Sequence, residues 1–162
     1  MPSFIRTAIV LASGLFMASP VVALEHTYPG AMCVEVRSDN SLDQRQKLIR
    51  DTEGQLFNGS PAHTLEVVCP VVGPFDDLSG GTANVFVTDR HSTQDVCCEA
   101  RLNNVGVFLH SDPVCSQGTD TRNQTLEIPP PSFPFTFTSR YFYCTIPPTD
   151  NKEASGIRLY RH

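Results

Sequence analysis

Short runs of alternating apolar and polar residues, each closed by proline or glycine, recur along this chain and leave little room for anything but β-structure. Met32–Arg37 alternates, and Gly54–Phe57 ends at the turn Asn58-Gly59-Ser60-Pro61. Thr64–Val72 is rich in valine, with Pro70 marking an edge position or the end of the strand. Ala83–Asp89 alternates cleanly. Gln94–Leu102 puts Val96, Cys98, Ala100 and Leu102 on one face and Cys97, Glu99 and Arg101 on the other. Val105–His110, Thr125–Ile128, Phe133–Thr138, Tyr141–Ile146 and Ile157–Arg161 complete the set, the last with Ile157 and Leu159 on one face. Leu24–Gly30 reads as a lead-in, and Pro74–Gly81 and Asp112–Asn123 as loops. Ser41–Thr52 fits either a weak helix, with Ser41 and Gln44 as a capping box, or an extended segment over Gln46–Arg50. About eight or nine short strands at this spacing predict an all-β domain, a two-sheet antiparallel β-sandwich of immunoglobulin-like or jelly-roll-like kind.

The first residues set a compartment. Arg6 is followed by an apolar run from Ala8 to Ala18, a break at Ser19-Pro20, and the small-residue exit Val21-Val22-Ala23. This is the pattern of a secretory signal peptide over residues 1–23, cleaved after Ala23, with a single β-sandwich domain over 24–162. The run is too short for a membrane span, which needs ~20 apolar residues, and no later segment predicts a transmembrane helix. Without Arg6 the balance is 11 basic against 17 acidic side chains, a net charge of −6 with no basic cluster. That argues against nucleic acid as a partner.

All six cysteines fall after the leader, and an even count in an exported chain reads as a disulfide framework. Six cysteines allow fifteen pairings, and sequence alone does not choose among them. Period two narrows the field. Cys98 shares a face with Val96 and Ala100, and Cys144 shares a face with Phe142 and Ile146, so a core bridge Cys98–Cys144 is the first choice. Cys97 then points outward, where Cys115 in its polar loop can reach it, and Cys33 is left with Cys69. A vicinal Cys97–Cys98 bridge is strained and ranks well below these.

The ordered series Gly54…Asn58…Ser60, Val67-Val68-Cys69-Pro70, Val85-Phe86-Val87-Thr88-Asp89, Val96-Cys97-Cys98, Tyr141-Phe142-Tyr143-Cys144-Thr145-Ile146-Pro147 and Ser155-Gly156-Ile157-Arg158-Leu159-Tyr160 resembles a loose group of small secreted bacterial proteins. The resemblance spans nearly all of residues 24–162. It implies a disulfide-bonded β-sandwich and brings no activity with it. The pair Cys97 and Cys115 looks like an addition to that pattern.

Four kinds of chemistry are open to these residues, each beside a plainer reading. Cys97, Cys98 and Cys115 with His91 or His110 hold the right atoms for zinc, but the spacing is not that of paired zinc ligands and disulfides are favoured. Asp76 and Asp77 are the best calcium candidates, but no regular ligand loop surrounds them and the turn-forming reading of the aspartates is clearly preferred. Ser92 or Ser111, His91 or His110, and Asp89 or Asp112 offer a hydrolase set without a Gly-x-Ser-x-Gly elbow or a His-Glu-x-x-His motif. Phe133, Phe135 and Phe137 form a stripe that reads as core, whereas Tyr141 and Tyr143 lie opposite Phe142 and Cys144 and are the binding-surface candidates. Asn123-Gln124-Thr125 and Asn58-Gly59-Ser60 are glycosylation sequons, the second followed by Pro61. The expectation is a secreted, non-catalytic binding or interaction module in the periplasm or outside the cell. Its ligand would be a glycan or protein, and neither a metal nor a cofactor is expected. The alternatives are a small secreted hydrolase or a structural protein of the cell envelope.

Overall fold

The computed structural model describes residues 26–36, 48–72, 82–104, 106–129, 131 and 139–162. The expected leader, Asp76 and Asp77, and the Phe133–Phe137 stripe lie outside them, as does any helix over residues 41–47. Twelve strands are present among the described residues: β1 Thr27–Pro29, β2 Val34–Glu35, β3 Leu48–Arg50, β4 Leu56–Asn58, β5 Leu65–Pro70, β6 Ala83–Asp89, β7 Cys97–Asn104, β8 Val107–His110, β9 Val114–Cys115, β10 Asp120–Ile128, β11 Ser139–Ile146 and β12 Gly156–Arg161. A single 3-10 turn, Gly30–Met32, links β1 to β2.

The strands form two six-stranded antiparallel sheets, which makes the chain a β-sandwich. One sheet runs β10-β6-β12-β4-β3, with β1 also on β12. The other runs β2-β5-β11-β7-β8, with β9 also on β7. The pairings show how the chain reaches this order. β4 pairs with β12, β5 with β11, β6 with β10, and β7 with β8 and β9, as in one long antiparallel ribbon. Rolling that ribbon brings β12 against β6 and β11 against β7. This is a jelly roll, and it decides between the two sandwich types that the strand spacing allowed.

Inward positions follow period two. Leu65, Val67 and Cys69 of β5, Cys98 of β7, and Phe142, Cys144 and Ile146 of β11 meet Val85 and Val87 of β6, Leu126 and Ile128 of β10, and Ile157 and Tyr160 of β12. The Tyr160 hydroxyl crosses this core to donate to the Pro70 carbonyl at 2.7 Å, tying β12 to the end of β5. Burial, joined by repulsion from Tyr28, raises the Tyr160 pKa above the ordinary phenol value.

Several local expectations change. Ile157 and Leu159 do not share a face, because β12 carries a register shift between them. The extra residue, Arg158, turns Leu159 outward and lets Tyr160 point inward opposite Val85. The stretch read as a loop from Asp112 to Asn123 contains β9 and the start of β10, and the lead-in contains β1. Leu48–Arg50, open between helix and strand in the sequence, is an edge strand. Pro70 closes β5, where a ladder donor is not needed.

Candidate functional site

All three disulfides staple neighbouring strands of the same sheet. Cys98 of β7 and Cys144 of β11 are directly opposed and bonded, as are Cys97 of β7 and Cys115 of β9. Cys33 precedes β2 and is bonded to Cys69 of β5. Their Cα separations of 4.0 to 4.1 Å suit the close, non-hydrogen-bonded pairs of an antiparallel ladder. The bridges thus stiffen one sheet in its own plane. Every cysteine is consumed, so Cys97, Cys98 and Cys115 offer no thiolate to zinc.

The outer face of that stapled sheet carries the tyrosines. Phe142 and Cys144 are buried, so Tyr141 and Tyr143 project to the other side of β11. Register fixes their neighbours. One row across the sheet is Val34, Val68, Tyr143 and Glu99; the next is Pro70, Tyr141, Arg101 and His110. Ser139, Asn103 and Phe108 form a third row, with Phe108 67% exposed at the sheet's edge. Val34, 53% exposed, closes the opposite side.

The two tyrosines differ in what they offer. The Arg101 guanidinium lies 3.6 Å from the centroid of the Tyr143 ring, a close cation–π contact that roofs one aromatic face. Arg101 is held there by Glu99 at 2.6 Å, and His110 Nδ1 lies 3.6 Å from the other Glu99 oxygen. The Tyr143 pKa is pushed up to about 12, first by burial and then by its hydrogen bond to Glu66, while Arg101 pulls it down. Tyr143 is therefore a fixed support for Arg101. Tyr141 stands opposite Pro70 and Arg101 in the ladder, on the same outward face. Sequence reading places Glu66, Glu99 and Arg101 in no site, and His110 only among candidate zinc and hydrolase groups. The signal for two of them was present, since Glu99 and Arg101 alternate onto the outward face of β7, but which strands lie beside them depends on register.

The hydrolase set does not come together. Asp89 at the end of β6 is fully buried, and its partners are Ser116, Ser155 and the His91 backbone rather than an imidazole. His91 Nδ1 accepts the backbone N–H groups of Thr93 and Gln94, so the ring shapes its own turn. Ser111 Oγ accepts from the Ala100 N–H and donates to the Asp112 carbonyl, and His110 turns toward Glu99. The Ser92 N–H donates to Asp150, and hydrogen bonds from Ser92 lower the Asp150 pKa below the usual carboxyl value.

These groups build a buried polar strut instead. Each serine hydroxyl donates to Asp89 and accepts a backbone N–H, Ser116 from Val96 at 2.8 Å and Ser155 from Arg90 at 2.9 Å. Asn58, also fully buried, donates from Nδ2 to the carbonyls of His63, Ile146 and Pro147, and its Oδ1 accepts the Ser60 N–H. The Asn58 sequon is thus committed to structure, since its amide nitrogen faces the protein interior. Among the described residues no three His, Cys, Asp or Glu side chains cluster as metal ligands, and no helix is long and apolar enough to cross a membrane.

No family model and no curated protein matches the chain. Among solved structures, the chain is similar to a family two carbohydrate esterase from Cellvibrio japonicus at 11% identity, with a TM-score of 0.43. The match covers 85% of this chain and 33% of that one, so the chain spans about a third of that structure's length. A likeness at this level carries no argument about activity.

Proposed function

We propose that this chain is exported after cleavage behind Ala23 and acts outside the cytoplasm as a non-catalytic binding module. Its contact surface is the outer face of the stapled sheet, and its partner is a protein. The observation that carries this reading is the make-up of that face. Tyr141 and Arg101 stand at its centre, two residue types that dominate the energetics of protein interfaces. Exposed apolar side chains flank them at Val34 and Phe108. Intrasheet bridges hold the strands in register, so little order has to be created on binding. The three disulfides support an oxidising compartment, as the leader pattern does. The roof that Arg101 makes over Tyr143 argues for a protein over a glycan, because it covers an aromatic face that a sugar ring would need.

The test compares the oxidised chain with its Tyr141→Ala variant on parallel panels of extracellular proteins and glycans. A protein that binds the parent at least tenfold more tightly than the variant, with equal melting of both, supports the reading. Glycan binding that depends on Tyr141 moves the ligand class to sugar. Binding that ignores Tyr141 removes this face from the account.

A further inference from the structure

The fold treats the asparagines of the two sequons in opposite ways. Asn58 is fully buried, and its Nδ2 donates to three carbonyls at 2.9 to 3.0 Å, so a sugar on that nitrogen would have to stand where those carbonyls are. Asn123 is exposed on β10, and its Oδ1 accepts a hydrogen bond from the Arg158 guanidinium at 2.5 Å. A guanidinium can only donate, so the amide oxygen is the end that faces Arg158 and Nδ2 is turned away from it. We infer that Asn123 is the acceptor of an N-linked glycan and that Asn58 is not. The sugar stands on the outer face of the β10-β6-β12-β4-β3 sheet. This rests on the export step of the proposed function and is independent of the contact face on the stapled sheet.

Burial and register place the site. Leu126 and Ile128 of β10 point into the core, so Asn123, Thr125 and Glu127 alternate onto the outward face, and all three are exposed. A sequon needs its asparagine and the hydroxyl two residues on, and an extended strand sets those two side chains on one side. Gln124 between them turns the other way. Its Oε1 accepts the Gln117 N–H at 2.8 Å, and its Nε2 donates to the Gly118 carbonyl at 3.2 Å. Arg158 is the extra residue of the β12 bulge, and it reaches Asn123 across β6, which lies between β12 and β10. Among the described residues β10 pairs on one side alone, with β6, so its other side is an open sheet edge. A bulky, solubilising sugar beside such an edge hinders pairing with another chain.

The transfer leaves the contacts around Asn123 in place. Its Nδ2 bonds to the anomeric carbon of an oligosaccharide carried on a polyprenyl diphosphate, and loses one proton. The anomeric C–O bond breaks, and the diphosphate leaves with the electron pair. Nothing is oxidised or reduced. Oδ1 remains an acceptor, so the hydrogen bond from Arg158 survives. The same substitution on Asn58 would leave one N–H to serve three carbonyls in the protein interior.

The experiment secretes the chain from a eukaryotic host that N-glycosylates its exported proteins. Two forms are used, one with its own residues 1–23 and one with the host's secretion leader in their place. Secreted protein is weighed intact and then treated with peptide-N-glycosidase in heavy-oxygen water, which turns each sugar-bearing asparagine into a labelled aspartate. Asn123→Gln, Thr125→Ala and Thr125→Ser are run beside it. The inference predicts one label, at Asn123, lost in Asn123→Gln and Thr125→Ala and kept in Thr125→Ser. Amide shifts that differ between the glycosylated chain and Asn123→Gln should fall on β10, β6 and β12. Secretion without sugar in both forms, or a label at Asn58, overturns the inference. Shift differences centred on β11 overturn the placement of the sugar. A glycan at Asn123 that appears only behind the host's leader supports the inference and removes the export step of the proposed function.

Discussion

Asp89 is the most consequential single side chain in the buried strut. Replacing it with alanine removes the acceptor of three hydrogen bonds, from the Ser116 and Ser155 hydroxyls and the His91 N–H. The His91 N–H lies in a partly exposed turn and can reach water. The two hydroxyls are buried, and each orphaned donor costs ~1–3 kcal/mol. Removing the buried acidic group returns part of their sum, so Asp89→Ala should cost about 2–4 kcal/mol. Asp89→Asn keeps Oδ1 with Ser155 and His91 and presents an amide to Ser116 Oγ, which still has a free lone pair. The Ser116 hydroxyl proton and the second amide N–H are then orphaned, at ~1–3 kcal/mol each. For a domain of this size, 1 kcal/mol moves Tm by roughly 3–4 °C. Thermal and urea unfolding of the oxidised protein, followed by tyrosine near-ultraviolet circular dichroism, measures both variants. The reasoning fails if Asp89→Ala unfolds within about 1 kcal/mol of the parent.

Other outcomes follow from the same structure. A Cβ on Gly156 would lie 2.2 Å from the Leu56 carbonyl oxygen and 2.5 Å from a Phe57 ring carbon, so Gly156→Ala must push β4 off β12. It should cost about 1–3 kcal/mol or more in urea unfolding, and a neutral result would contradict the close approach. Under graded reductant the half-buried Cys97–Cys115 bridge should open before Cys33–Cys69 and Cys98–Cys144, whose sulfur-bearing residues are sealed in the core. Alkylation and peptide mass mapping give the order, and replacing Cys97 and Cys115 by alanine should cost about 3 kcal/mol for a loop of this length. Tyr143 and Tyr160 both have pKa values raised above 10.0 in the folded chain. Their contribution to stability is full below that pH and is lost as pH rises through the folded values, about 12 for Tyr143. Unfolding free energy should therefore drop from pH 10 upward, and a flat profile to pH 12 would contradict the burial of these phenols.

Much of the fold could be read from strand patterns, because one face of each long strand is buried and period two then marks it. Ala83–Asp89 and the outward turn of Tyr141 and Tyr143 are such cases. What escaped had no pattern to show. β9 is two residues long, too short to alternate, and is held by the Cys97–Cys115 bridge and by hydrogen bonds between Val96 and Ser116. The first half of β10, Asp120–Gln124, is polar in sequence and shows no apolar alternation, although the strand as a whole forms the edge of its sheet. The bulge at Arg158 is invisible to a strict period of two and reversed the roles of Leu159 and Tyr160. The rows that join Tyr143 to Glu99 and Tyr141 to Arg101 are products of register, which a single strand's sequence does not contain. Asp89, Ser116 and Ser155 are far apart in the chain and meet only once the ribbon has rolled up.

The central claim is that the outer face of the stapled sheet is where this protein meets its partner. Chemical-shift mapping of the isotope-labelled, oxidised chain with a partner found on the panels tests it most directly. The account predicts that perturbed amides cluster in Glu66–Pro70, Glu99–Asn103 and Ser139–Thr145 and vanish in Tyr141→Ala. Perturbations confined to β6, β10 and β12 would place the partner on the opposite sheet and contradict it.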